Sequence, residues 1–293
     1  MENYCLTEPI FLRNLVIFPI KATNGSSRRH DAHNGFDPST LDEVLAQRKA
    51  EIRELETPGV NEIIFENRGD WPVLLLDGEE ITGSLQNRII AASHLVAARS
   101  TEDVPVVCVE EGRWDELGGF QTGYCSYPRI RSILAKGMHK KTDTQKIIWD
   151  EINRKLTVTK TLSKTSSMHD IYDNLKEEIA RYVEGFESLN HSTVGFIGVA
   201  GDRILGCDIF FDSNIYRKFE NKLIRSYALD AFEYQRTKKD LPDVETFFAN
   251  VLGVLKNKKI KKSRNTIPIK GNEFLGQTLT YNTRLVHLSA FPT

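Results

Sequence analysis

The stretch that decides the fold reads Val194-Gly-Phe-Ile-Gly-Val199, then Ala200-Gly201-Asp202-Arg203, then Ile204-Leu-Gly-Cys-Asp-Ile-Phe-Phe211. Two apolar runs joined through a glycine–aspartate pair predict a β-hairpin. The hairpin follows two helical patterns, about Thr142 to Lys155 and Met168 to Leu189, and precedes a long helix, about Asn214 to Tyr234, and a shorter one, Val244 to Leu255. Three short strands, Thr266 to Ile269, Gln277 to Tyr281 and Leu285 to Leu288, close the chain. Upstream, Ile10 to Ile20 is apolar and extended. Ser39 or Thr40 then caps a helical period through Leu41, Val44, Leu45, Ile52 and Leu55 that Pro58-Gly59 ends. Glu62 to Phe65, Val73 to Leu76, Ile89 to Val96 and Val104 to Val109 read as sequential strands, and a glycine- and tyrosine-rich connection runs from Trp114 to Pro128. Strands group with strands instead of alternating with helices, so the class is α+β, with mixed or antiparallel sheet units and several flanking helices. We read residues 1–293 as a single α+β domain, with a strand-rich half at 1–135 and a helix-rich half at 136–293 that carries a second sheet unit.

A chain of 293 residues can bury about three quarters of its unfolded surface, and 40% hydrophobic with 27% charged residues is a globular composition, which excludes overall disorder. With 39 Lys+Arg against 40 Asp+Glu, the net charge of -1 gives no global field for nucleic acid or an anionic membrane. No apolar run approaches the length of a membrane span. Glu2 and Glu8 stand where a secretory signal would be basic, so a cytoplasmic location is expected. Cys5, Cys108, Cys125 and Cys207 are widely spaced, which predicts reduced thiols and neither a zinc knuckle nor a disulfide scaffold.

Functional residue types concentrate between Glu66 and Trp114, each group at a strand end, where side chains of one sheet converge. Asp77-Gly78-Glu79-Glu80 sets three carboxylates in four residues. It reads either as a hairpin turn with its glutamates in water or as a site for a hard cation, Mg²⁺ or Mn²⁺, with Asp77, Glu79 and Glu110 as ligands. Gln86-Asn87-Arg88 enters an apolar run. An amide beside a guanidinium suits a ribose hydroxyl and a phosphate, while an ion pair of Arg88 with Glu79 or Glu110 is the structural alternative. In Glu110-Glu111-Gly112-Arg113-Trp114, arginine offers a phosphate clamp and tryptophan a face for a base; a packed strand end is the plainer reading. Cys108, inside its strand, reads as an inert thiol.

In the second half, Asp208 lies in an apolar strand and needs a partner, which Arg225 or Tyr227 of the following helix can supply. Ser226 lies beside them, and packing of that helix on the core is the competing reading. His30-Asp31-Ala32-His33 lacks a third ligand of recognisable spacing, and the basic run from Lys256 to Arg264 lacks interleaved aromatics, so both read as solvated segments. His287 reads as a core or edge-strand histidine. Dinucleotide fingerprints, Walker loops and nucleophile elbows are absent from the sequence.

Asp77-Gly78-Glu79, Gln86-Asn87-Arg88, Val104-Pro105-Val106 and Cys108-Val109-Glu110-Glu111-Gly112-Arg113-Trp114 together resemble the ARG and rhodanese-phosphatase-superfamily-associated protein domain. The resemblance continues through Gly195 to Gly198, Leu205 to Phe210, Leu223 to Ala231 and His287 to Phe291. One departure is Ser84-Leu85 before Gln86, where a small residue and then a basic one are expected. The resemblance implies an NAD-derived nucleotide such as ADP-ribose as ligand, in a prokaryotic conflict or defence setting. It points to Glu79, Gln86, Asn87, Arg88, Glu110, Arg113 and Asp208 as pocket residues, with Arg225, Ser226 and Tyr227 as a second wall. Three functions stay open: an enzyme with Glu79, Glu110 and Asp208 as catalytic carboxylates and Arg88 and Arg113 on phosphate, a non-catalytic sensor using the arginines and Trp114, and an interaction protein docking to a partner within a defence assembly.

Overall fold

The computed structural model describes residues 4–23, 36–56, 61–235, 240–256 and 266–293. The loop containing His30 and His33, the Pro58-Gly59 pair and most of the basic run, residues 257–264, lie outside the described residues. The chain is α+β, with seven helices and three largely antiparallel sheets among the described residues. Its contacts form two compact units, Asp37–Glu177 and a discontinuous one of Met1–Phe36 with Glu178–Thr293.

The chain opens with β1 (Tyr4–Leu6), β2 (Ile10–Leu12) and β3 (Leu15–Ala22). The continuous unit follows with β4 (Ser39–Thr40), α1 (Leu41–Ala46), β5 (Ala50–Arg53), β6 (Glu62–Asn67), β7 (Val73–Leu75), β8 (Glu79–Thr82), β9 (Arg88–Ile90), β10 (His94–Val96), β11 (Ser100–Cys108), β12 (Gln121–Cys125), α2 (Pro128–Lys140), α3 (Gln145–Val158) and α4 (Met168–Asn174). After α5 (Lys176–Tyr182) come β13 (Thr193–Ala200), β14 (Arg203–Phe210), α6 (Ser213–Glu233), α7 (Val244–Leu255), β15 (Ile267–Gly271), β16 (Phe274–Tyr281) and β17 (Arg284–Pro292).

In the discontinuous unit the expected hairpin forms, β13 pairing antiparallel with β14 around Gly201-Asp202. The sheet order is β1-β3-β13-β14-β17-β16-β15, with β2 also on β3. Every residue of β13 is buried because both faces are covered. Ile197, Val199, Cys207 and Ile209 pack with Val244, Phe247, Phe248 and Val251 of α7, while the alternate residues Phe196 and Gly198 meet Tyr227 of α6. Burial on two faces turns strand alternation into a continuous apolar run, which is why this segment was legible.

The continuous unit holds a six-stranded sheet, β12-β8-β9-β11-β6-β5, and a three-stranded one, β10-β7-β4, over a core that includes Leu41, Ile63, Phe65, Leu75, Ile81 and Val104. Three expectations need correcting here. The first helix stops at Ala46. Thr40 caps it with a reciprocal Thr40–Glu43 box, but Arg48 turns left-handed at φ 55°, and Ile52 lies in a strand opposite Phe65. The Ile89–Val96 run splits, because β9 and β10 belong to different sheets. Residues 128–140 form a helix beyond the glycine- and tyrosine-rich connection, and its apolar pattern is masked because the buried face includes a cation, Arg131.

Candidate functional site

In the continuous unit the Gln86-Asn87 and Glu110-to-Arg113 elements meet around one guanidinium. Arg113 Nε donates to Glu110 Oε2 at 2.9 Å, and its Nη2 lies 2.7 Å from the same oxygen. Nη1 donates to the Ser84 and Asp115 carbonyls at 2.6 and 2.8 Å. Nη2 donates to Asn87 Oδ1 at 3.1 Å and to the Gly83 carbonyl at 3.3 Å. The Glu110 carboxylate is equally engaged: Oε2 accepts from the Asn87 N–H at 3.0 Å and Oε1 from the Thr165 hydroxyl at 2.8 Å. Burial alone would raise the Glu110 pKa, but Arg113, Asn87 and Thr165 outweigh it and hold the carboxyl below its ordinary 4.5. Gln86 Nε2 donates to the Glu110 carbonyl at 3.0 Å, while its buried Oε1 has no partner.

Two glycines make this approach feasible. A Cβ on Gly83 would lie 2.6 Å from the Gly119 carbonyl oxygen, and Gly83 has φ 104°. At Gly112 a Cβ would meet the Thr165 backbone at 3.0 Å. The network ends at the start of α4: Glu110 bridges to Ser167, and Ser167 Oγ accepts from Asn87 Nδ2 at 3.4 Å and from the His169 N–H at 3.2 Å as N-cap.

Arg88 leaves β9 on another face. Its Nη1 donates to Glu54 Oε2 at 2.7 Å, so its ion-pair partner is neither Glu79 nor Glu110, and Glu54 Oε1 accepts from Ser84 Oγ at 2.9 Å. The guanidinium lies 5.7 Å from the Phe120 ring centroid. Arg88 is fully buried, and its Nε and Nη2, which share the edge carrying two parallel N–H groups, have no protein partner. Ser84 joins the networks, through its carbonyl to Arg113 and through its hydroxyl to Glu54.

The three acidic residues around Gly78 do not face water; Asp77, Glu79 and Glu80 are fully buried. Asp77 receives Arg131 Nε at 3.0 Å, Arg131 Nη2 at 3.3 Å and the Ser93 hydroxyl at 2.9 Å. Glu79 Oε2 accepts from the Leu76 N–H at 2.9 Å. Among the described residues no group of three His, Cys, Asp or Glu side chains is arranged to hold a metal ion. With Asp77 and Glu110 each closed by an arginine, the proposed donor set does not fit a divalent cation.

Glu80 is placed differently. Its Oε2 accepts from the Tyr124 N–H at 3.0 Å and lies 2.9 Å from His169 Nδ1, while Oε1 is buried without a partner. Its hydrogen bond to Glu80 raises the His169 pKa above the usual 6.5, burial opposing and Asp173 and Asp170 adding to the rise. His169 carries no local sequence signal of a role, because 89 residues separate it from Glu80.

The other candidates occupy the discontinuous unit. Asp208 is fully buried, accepts from the Tyr227 hydroxyl at 2.8 Å and lies 3.0 Å from His287 Nε2, so its partner in α6 is Tyr227. Arg225 is half-buried and donates to Asn221 of its own helix at 2.7 Å, while Ser226 donates to the Leu223 carbonyl at 2.8 Å. Trp114, in the continuous unit, is 49% exposed. Cys108 is buried, and burial raises its thiol pKa.

These features define an α+β protein whose diagnostic side chains form an arginine–carboxylate–amide network at strand ends. The chain belongs to the family of the ARG and Rhodanese-Phosphatase-superfamily-associated Protein domain, which matches residues 3–291. No curated protein and no solved structure gives a match. No helix among the described residues is long and apolar enough to cross a membrane.

Proposed function

We propose that the continuous unit recognises an anionic, NAD-derived nucleotide of the ADP-ribose type, with Arg88 as its phosphate-binding residue. The family name places the chain in the company of ARG-type proteins, which the sequence resemblance connects to ADP-ribose. The observation that carries the reading is the unpaired Nε/Nη2 edge of a fully buried guanidinium. A buried donor without a partner costs about 1–3 kcal/mol, more when charged, and two parallel N–H groups match two oxygens of a phosphate. Arg113 supports this reading as a positioning residue: its donors are spent on the carbonyls, Asn87 and Glu110 that shape the turn before Arg88.

The test is calorimetric titration of ADP-ribose and of neutral adenosine, with mass spectrometry of the retained and released nucleotides, with and without Mg²⁺ or Mn²⁺. ADP-ribose is expected to bind at least tenfold tighter than adenosine, and Arg88→Gln to erase that preference while the protein still melts cooperatively. Equal affinity for the two compounds, or no binding of ADP-ribose, would overturn the reading.

A further inference from the structure

We propose that His169, held by Glu80, is a general acid–base catalyst that hydrolyses a ribosyl bond whose leaving atom is oxygen. The substrate class rests on the nucleotide reading above; the site does not, because Glu80 and Arg88 leave opposite faces of the β8–β9 ribbon. Ile81 is paired with Arg88 and shares its face, whereas Glu80 is paired with Ile89 and points the other way.

The geometry separates a buried anchor from an accessible ring. Glu80 is fully buried, and its Oε2 fixes His169 through Nδ1 at 2.9 Å. The His169 side chain is 30% exposed, and its second nitrogen, Nε2, lies 3.7 Å from the exposed Asp173 carboxylate. Tyr124 completes the setting: its ring centroid is 4.9 Å from that of His169, and its hydroxyl donates to Asp173 Oδ1 at 2.9 Å. Gly123 admits the anchor, since a Cβ there would fall 2.3 Å from Glu80 Oε2. Glu80 Oε1, buried and without a partner, is an acceptor for a sugar hydroxyl.

Those neighbours also select the chemistry. The groups facing His169 are Glu80 from β8, Tyr124 from β12 and Asp170 and Asp173 on α4, and these carboxylates favour the imidazolium and repel phosphate. The neutral sugar end of a nucleotide meets no such repulsion. A protonated imidazole helps a leaving group that departs as an alkoxide; nicotinamide leaves neutral and needs no proton. In the step, water oxygen bonds to the anomeric carbon as the bond to the leaving oxygen breaks. Nε2 gives its proton to that oxygen, which departs as an alcohol. The proton shed by water passes to Asp173 and restores the imidazolium, so no oxidant or reductant enters. Glu80 acts through the ring as a positioning residue.

The experiment follows hydrolysis of ADP-ribose joined through oxygen to a serine-containing peptide, with NAD as comparison, across pH 5.5–9. Wild type is expected to cleave the peptide conjugate in preference to NAD, with activity falling as pH rises through the His169 pKa. His169→Gln should lose about a hundredfold or more. Glu80→Gln should move the falling limb to lower pH, an effect that a merely structural carboxylate would not have. No cleavage of the conjugate, or unchanged turnover in His169→Gln, overturns the inference. If ADP-ribose still binds through Arg88 in that case, the nucleotide reading survives alone; cleavage together with ADP-ribose binding that Arg88→Gln leaves unchanged would sink that reading and leave this one.

Discussion

Asn87 and Arg113, 26 residues apart, are joined by a 3.1 Å hydrogen bond from Arg113 Nη2 to Asn87 Oδ1, and both also bind Glu110 Oε2. The residues that look most like phosphate ligands in the sequence therefore bind one another. They fix the turn before β9 and, through Ser167, the start of α4, so they aim Arg88 and His169.

Arg113→Gln is expected to be among the most damaging substitutions in the continuous unit. It leaves the buried Glu110 carboxylate without its cation and strips donors from the Ser84 and Gly83 carbonyls. Breaking one side of a buried pair costs about 3–5 kcal/mol. Urea unfolding measures it, and a loss under about 1 kcal/mol would mean that the network is not structural.

The pH dependence of stability should carry two limbs of opposite sign. Glu110 has a lowered folded pKa, so its stabilisation is complete above its unfolded value near 4.5 and disappears as pH falls through the lower folded value. Glu110→Gln should flatten this acid limb in denaturant titrations between pH 7 and 3.

His169 gives the other limb. Its folded pKa is raised, so its contribution is complete below the unfolded value of 6.5 and is lost as pH rises through the folded one. Thermal melts from pH 6 to 9 should show wild type losing stability over that window and His169→Gln lacking the decline.

Much of this fold was legible because local pattern and tertiary role agreed. The β13–β14 hairpin and α7 are apolar on the surfaces they bury, and the capping box at Thr40 marks a true helix start. Legibility failed where the core face is charged or where one period serves two elements. Arg131 hides the apolar stripe of α2 because its charge is neutralised by Asp77, 54 residues away. Ile52 continues the spacing of α1 yet faces Phe65 in a strand. At the candidate site, Gln86, Asn87, Glu110 and Arg113 could be singled out from their residue types, but their mutual saturation could not. Glu54 and His169 gave no local signal, since each acquires its partner only when distant segments meet.

Asp77→Asn should destabilise the protein through Arg131, independently of divalent cations. The substitution keeps the shape but removes the charge opposite a fully buried guanidinium. Melting temperatures of wild type and variant should differ by the same amount in Mg²⁺ and in chelator. A wild-type increase with Mg²⁺ that vanishes in the variant would restore Asp77 as a metal ligand.

Two glycine substitutions should move stability in opposite directions. At Gly198 an added Cβ would lie 2.2 Å from Tyr227 Cδ1, and that ring cannot withdraw without giving up the hydroxyl it donates to Asp208. Gly198→Ala should therefore cost about 1–3 kcal/mol as overpacking, and more if the Asp208 hydrogen bond is lost as well. Gly253 lies within α7, and a Cβ there meets nothing within 4 Å. Gly253→Ala should gain about 0.5–1 kcal/mol, because alanine surrenders less backbone freedom on entering a helix. Denaturant midpoints of the two variants against wild type check both signs, and a neutral Gly198→Ala would show that β13 does not set the position of Tyr227.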